Sequence, residues 1–170
     1  MAPPHAWYAV HTRSRCEKLV DRLLGQKGLE TFLPLATRRS RMSLRRFRDA
    51  QVPLFPGYVF LKLCGGSDYQ RARRTAGVAR IVGTPEGPVA VPEREIEALR
   101  RLAAAGFARS AESRMAPGRR VMVVRGPLRG VEGEVIRRKL RSLFVIKVEL
   151  IQRQVLVDLD GQDLELAPLE

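Results

Sequence analysis

The side chains of this chain that could do chemistry are aromatic and cationic rather than nucleophilic. No G-x-S-x-G turn and no Walker-type glycine loop occurs in its 170 residues, and no cysteine lies at a usable spacing from a histidine. Glu95 stands two residues from both Glu93 and Glu97, so it faces neither of them on a helix. Cys16 and Cys64 form no CxxC pair, and His5 and His11 lack metal-ligand spacing. The expectation is a protein that is not an enzyme, holds no cofactor and no metal, and acts by non-covalent docking. Two features could carry that docking. One is the run VPLFPGYVFLKL from Val52 to Leu63, which is rich in aromatic residues. The other is the arginine-rich stretch from Arg38 to Arg48.

The first feature reads as a strand that is apolar on both faces. Alternation puts Tyr58 and Phe60 on one side and Val59, Leu61 and Leu63 on the other. One side can build a core. The second must be covered by a helix of the same domain or by a partner, because an uncovered aromatic patch marks a docking surface. Pro53 and Pro56 cannot donate ladder hydrogen bonds, so they belong to an edge, a strand start or a bulge, which places Phe55 and Tyr58 near a rim.

The second feature belongs to an uneven charge distribution. The chain has 31 Lys and Arg against 18 Asp and Glu, a formal net charge of +13. Residues 1–106 hold 19 against 9, a surplus of ten, whereas residues 117–170 hold 10 against 8, a surplus of two. A GC-rich genome would supply arginines without selection for binding, and 26 of the 31 are Arg. Such a bias does not account for the difference between the halves. The surplus in the first half suits a polyanion, held through counterion release and long-range attraction.

Elements that would position these residues follow from spacing. Trp7–Val10 reads as a first strand. Ser14 and Glu17 have capping-box spacing and predict a helix start there, with an apolar stripe of Cys16, Leu19, Val20, Leu23 and Leu24 and with Gly28 at its end. The basic stretch between two strand-like segments reads as a hairpin tip. Ser67 reads as the N-cap of a second helix that Gly77 stops. Val78–Val82 reads as a strand, and Pro92 opens a third helix with the stripe Ile96, Leu99, Leu102 and Ala103. From Gly118 onward the pattern changes to short β runs, Val121–Val124, Glu132–Ile136, Leu143–Leu150 and Gln154–Leu159, with turn signals at Gly126-Pro127, Gly130 and Gly133. The predicted fold class is α+β: an N-terminal α/β sandwich over residues 1–106, a linker over 107–116, and a small C-terminal β-barrel over 117–170. With no long apolar run and no secretory leader, the chain is expected in the cytoplasm, off the membrane, as a monomer.

In this order the segments WYAVHT, capped helix, basic hairpin, VPLFPGYVFLKL, TAGVARIVG and third helix resemble the NGN domain of the NusG family of transcription elongation factors. GRRVMVVRGPLRGVEG, residues 118–133, resembles a KOW motif, so the C-terminal barrel would be SH3-like. The resemblance spans nearly the whole chain. It implies a factor whose N-terminal domain docks on the clamp helices of bacterial RNA polymerase, spans the main channel toward the opposite lobe and suppresses pausing or termination. The docking patch it implies is Trp7, His11, Phe55, Tyr58 and Phe60, with Asp68, Tyr69 and Gln70 toward the lobe, and the strand-like alternation of Leu143–Leu150 and Gln154–Leu159 predicts a barrel that leaves the patch open in the free protein. Arg13 would lie near the non-template strand of the transcription bubble. Arg38, Arg39, Arg41, Arg45, Arg46 and Arg48 would reach upstream DNA. The KOW domain would capture a ribosomal small-subunit protein or the termination helicase Rho. Ile151 matches the family's key apolar contact there, and alternation from Val148 and Leu150 predicts that it points outward. A ribosome-associated or general RNA-binding KOW protein is the alternative, although such a protein would not require the aromatic patch.

Overall fold

The computed structural model describes residues 5–41, 47–105, 109–112, 118–138, 141–148, 151–158 and 165–169. The chain divides into two compact units, Met1–Pro34 with Pro53–Ile96 and Leu35–Val52 with Glu97–Glu170. In chain order the elements are β1 (Ala6–Thr12), α1 (Glu17–Gln26), β2 (Thr31–Phe32), β3 (Leu35–Arg41), β4 (Phe47–Pro53), β5 (Tyr58–Leu63), α2 (Gly66–Arg73), β6 (Val78–Ile81), β7 (Gly83–Thr84), β8 (Gly87–Pro88), β9 (Ala90–Val91) and α3 (Glu93–Ala105). They continue with β10 (Arg109–Glu112), β11 (Arg119–Arg125), β12 (Glu132–Arg138), β13 (Arg141–Val148), β14 (Arg153–Asp158) and β15 (Glu165–Pro168).

In the first unit a sheet runs in the order β2-β5-β1-β6, with β9 also paired to β1. Strands β1 and β5 are antiparallel, with Ala6 opposite Leu63, Tyr8 opposite Leu61 and Val10 opposite Val59. Residues directly opposite share a face. One face therefore carries Tyr8, Val10, Val59, Leu61 and Leu63, which pack with Val20 and Leu24 of α1, Leu29, Ala72 of α2, Val78 and Ile81. Each buried Val or Leu side chain contributes roughly 1.5–3 kcal/mol. The other face carries Trp7, Ala9 and His11 against Lys62, Phe60 and Tyr58. The apolar character of β5 on both sides is thus the signature of a central strand.

Helix α1 starts later and packs more narrowly than its sequence suggests. Its N-cap position is Cys16, and no side chain caps it. The chain passes through a left-handed residue at Arg15, φ 59°, which breaks the geometry that a Ser14–Glu17 box requires. Val20 and Leu24 are fully buried, Cys16 and Leu23 are half-buried and Leu19 is exposed, so the stripe centres on the i, i+4 line through Val20 and Leu24. Gly28 follows the helix with φ 73°, the left-handed conformation expected of a terminating glycine. Ser67 does not cap α2. It lies inside the first turn, and the preceding Gly65 holds the N-cap position. In α3, Ile96, Leu99 and Leu102 are buried, as their spacing predicts.

In the second unit β3 and β4 pair with each other, and a separate six-stranded sheet runs β10-β14-β13-β12-β11-β15. Phe144 lies opposite Val157 and Ile146 opposite Val155, which gives a face on which all four are buried. Gly133 is glycine because a Cβ there would sit 2.5 Å from the Val145 carbonyl oxygen and 2.6 Å from the Phe144 ring. Two features of this unit differ from what the sequence pattern suggests. Residues 109–112, placed in the linker by their small and polar composition, form β10 against β14, because an extended segment beside a sheet edge satisfies its backbone groups by joining the ladder. The expected closed barrel is not seen either, since β10 and β15 stand at the two ends of the sheet and no pairing among the described residues joins them.

Candidate functional site

The site is built on the turn that leads into β5. Leu54 donates its N–H to the Pro34 carbonyl at 2.8 Å, Tyr58 donates to the Phe55 carbonyl at 3.1 Å, and Thr12 donates to the Gly57 carbonyl at 2.8 Å. Gly57 has φ 86°, a left-handed conformation that glycine adopts without strain. Its own N–H donates to Oε1 of Glu17 at 2.6 Å. The chain thus leaves Pro56 in one orientation and delivers Tyr58 beside His11, with ring centroids 5.2 Å apart and planes inclined at 52°. Both residues are half-buried.

Behind that pair lies an aromatic cluster. Phe60 stacks on Phe32 at 6.2 Å and meets Phe55 edge-on at 6.1 Å. Trp7 lies beneath Lys62, whose Nζ is 5.7 Å from the ring centroid, and its indole N–H donates to Glu93 at 3.4 Å. Lys62 also pairs with Glu30 and Glu93, each at 3.8 Å. Phe55 and Phe60 are 0% exposed and Trp7 is 2% exposed. The five-residue open patch is therefore corrected. His11 and Tyr58 form a rim, while Trp7, Phe55 and Phe60 are buried, with Phe60 packed on the rings of Phe32 and Phe55 and Trp7 set beneath Lys62.

The remaining candidates separate in a similar way. Asp68 is engaged within its own unit, accepting from the Cys64 N–H at 3.1 Å and from Arg71 at 3.2 Å, which holds the start of α2. Tyr69 packs against the core of the first unit, and only Gln70 of that trio is exposed. Arg13 is exposed, its backbone N–H held by the Gly77 carbonyl at 2.8 Å. The backbone of Arg38, Arg39 and Arg41 belongs to β3 and that of Arg48 to β4, so these arginines lie along the arms of a strand pair and not only at its tip. Arg45 and Arg46 lie outside the described residues. Ile151 is 6% exposed, in the turn before β14, where an outward side chain was expected.

Two residues of the site were not singled out by sequence. Arg80 of β6 pairs across from His11 and is exposed, adding a cation to the rim. Alternation does not signal it, because Val78 and Ile81 have opposite parity and are nevertheless both buried in the same core, across a register shift opposite His11 and Thr12. Glu17, at capping-box spacing from Ser14, instead holds the turn at Gly57. The assembled site offers an aromatic pair flanked by Arg80, a surface suited to binding another macromolecule.

A family model described as "Transcription termination factor nusG" matches residues 5–100. Among solved structures, NusG of Thermotoga maritima, from a study of its domain interaction, is 21% identical, with 97% of each chain covered and a TM-score of 0.57. Two conformations of an MjSpt4:Spt5 complex match at 17% and 18% identity over 96% of this chain and 99% of theirs, with TM-scores of 0.35 and 0.36. No curated protein matches. The likeness to the Thermotoga structure speaks for the fold. The family match takes in the whole of the first unit from β1 into α3, including the Gly57 turn and the aromatic face, over more than half of the sequence, and the chain belongs to the NusG family.

Proposed function

We propose that this chain is a transcription elongation and antitermination factor that docks on the clamp of RNA polymerase through the rim formed by His11 and Tyr58, and so suppresses pausing or termination. The observation that carries the reading is the half-buried Tyr58 ring, held by a tied turn on the part of the chain that the family model matches. A pre-positioned aromatic residue at a rim loses little freedom on binding and gains a large area of interaction. Trp7, Phe55 and Phe60 support the rim from below. The six-stranded sheet of the second unit is the KOW module in this reading and recruits a ribosomal small-subunit protein or Rho.

Tyr58→Ala should weaken binding to core RNA polymerase by about 30-fold, corresponding to the ~2 kcal/mol typical of an aromatic anchor, while the melting temperature changes little. Affinity measured with purified polymerase checks this, and undiminished binding by the folded variant would remove the docking assignment. Co-purification from cells with polymerase core, as opposed to ribosomal RNA, tests the class of partner.

The strand pair of β3 and β4 is proposed to neutralise phosphates of the DNA near the transcription bubble, together with Arg13. Replacing Arg45, Arg46 and Arg48 by Gln should then flatten the slope of log affinity against log salt by roughly 0.7–0.9 for each phosphate no longer neutralised. A titration of elongation-complex binding against salt reads that slope directly. An unchanged slope would return these arginines to solvated surface.

A further inference from the structure

We propose that Glu17 is a positioning residue for the docking rim, acting through the Gly57 turn. This rests on the docking reading above. Glu17 is the first residue of α1 and is 7% exposed, an unusual location for a carboxylate. A buried carboxylate is tolerated only when its oxygens accept hydrogen bonds, and Oε1 accepts from Gly57 N–H at 2.6 Å, the short distance of a charge-assisted bond. The first turn of a helix also favours a negative charge.

The geometry gives this bond a consequence beyond holding the fold. Gly57 is tied on both sides, its carbonyl accepting from Thr12 of β1 and its N–H donating to Glu17 of α1. A Cβ at Gly57 would lie 3.7 Å from Nε2 of His11, so the turn passes directly against the imidazole. Gly57 is followed at once by Tyr58, whose ring rests on the same imidazole. Releasing the Glu17 bond frees the peptide between Pro56 and Gly57, and that peptide sets the direction in which Tyr58 leaves the turn. A left-handed glycine without this tie has several backbone orientations open to it.

The test compares Glu17→Ala and Glu17→Gln in the full chain. Gln keeps an oxygen acceptor, so Glu17→Gln should retain most of the polymerase affinity, whereas Glu17→Ala should lose about 10-fold. Hydrogen exchange at the Gly57 amide should quicken in Glu17→Ala and remain slow in Glu17→Gln. In a Tyr58→Ala background, Glu17→Ala should cost less than about twofold further, because both act on the same interaction. Full, independent loss in that background would overturn the proposal, and so would unchanged affinity accompanied by fast Gly57 exchange. If Tyr58→Ala alone leaves affinity intact, the docking reading falls and this role falls with it. If Tyr58→Ala weakens binding and Glu17→Ala does not, only the present proposal fails. Should Glu17→Ala not fold, Glu17→Asp, which shortens the reach by one methylene, carries the same comparison.

Discussion

Phe60→Ala is expected to destabilise the first unit severely instead of acting as a clean interface variant. Phe60 has no exposed surface, sits on β5 between β2 and β1, and meets the rings of Phe32 and Phe55 at 6.2 and 6.1 Å. Truncating a buried phenylalanine to alanine removes its transfer free energy and leaves a cavity, at a cost of about 3–5 kcal/mol. A domain is held by about 5–15 kcal/mol in total, so the loss is a large share of the stability. For a unit of this size it should lower the melting temperature by more than about 12 °C. Thermal unfolding of the full chain followed by near-ultraviolet circular dichroism checks it. A melting temperature within a few degrees of the parent would show that the ring is not part of a packed core. Weaker polymerase binding by this variant would therefore report damaged structure, and Tyr58→Ala is the probe of the surface itself.

How far the sequence carries depends on whether the deciding interaction is local. Alternation in β5 is local, and it correctly separates Val59, Leu61 and Leu63 from Tyr58 and Phe60. The three helices are likewise legible, because apolar spacing and terminating glycines act within one or two turns. What alternation does not reveal is whether the second face is open. Phe32 and Phe55, distant from Phe60 in sequence or separated from it by a turn, close over it only once β2 has paired with β5. Glu17 shows the same limit. Its spacing from Ser14 fits a capping box, yet its real partner is Gly57, forty residues further along the chain, and nothing local distinguishes the two roles. Strand β10 was missed because its edge position against β14 comes from the ladder it joins and not from its own composition.

Ile151→Asp is expected to break the sheet of the second unit, contrary to the outward orientation that alternation suggests. Alternation counts faces only within one strand. Strand β13 ends at Val148 and β14 begins at Arg153, so Ile151 belongs to neither strand and is not bound to the phase of β13, and Gln152 after it is left-handed, φ 51°. The residue is 6% exposed and adjoins the strand whose Val155 and Val157 are fully buried. A carboxylate in that place loses its hydration without gaining a partner, which costs several kcal/mol, and the penalty should ease as the pH falls and the acid is protonated. Ile151→Val, which removes one methylene, should cost only about 0.5–1.5 kcal/mol and leave the sheet formed. Amide exchange at Val155 and Val157 in the full chain reports the outcome. Quickened exchange in Ile151→Asp with slow exchange in Ile151→Val identifies Ile151 as core, so that loss of a binding partner in the Asp variant would follow from unfolding. Slow exchange in both variants would return Ile151 to the surface, where partner binding by the folded Asp variant becomes a fair test of its role.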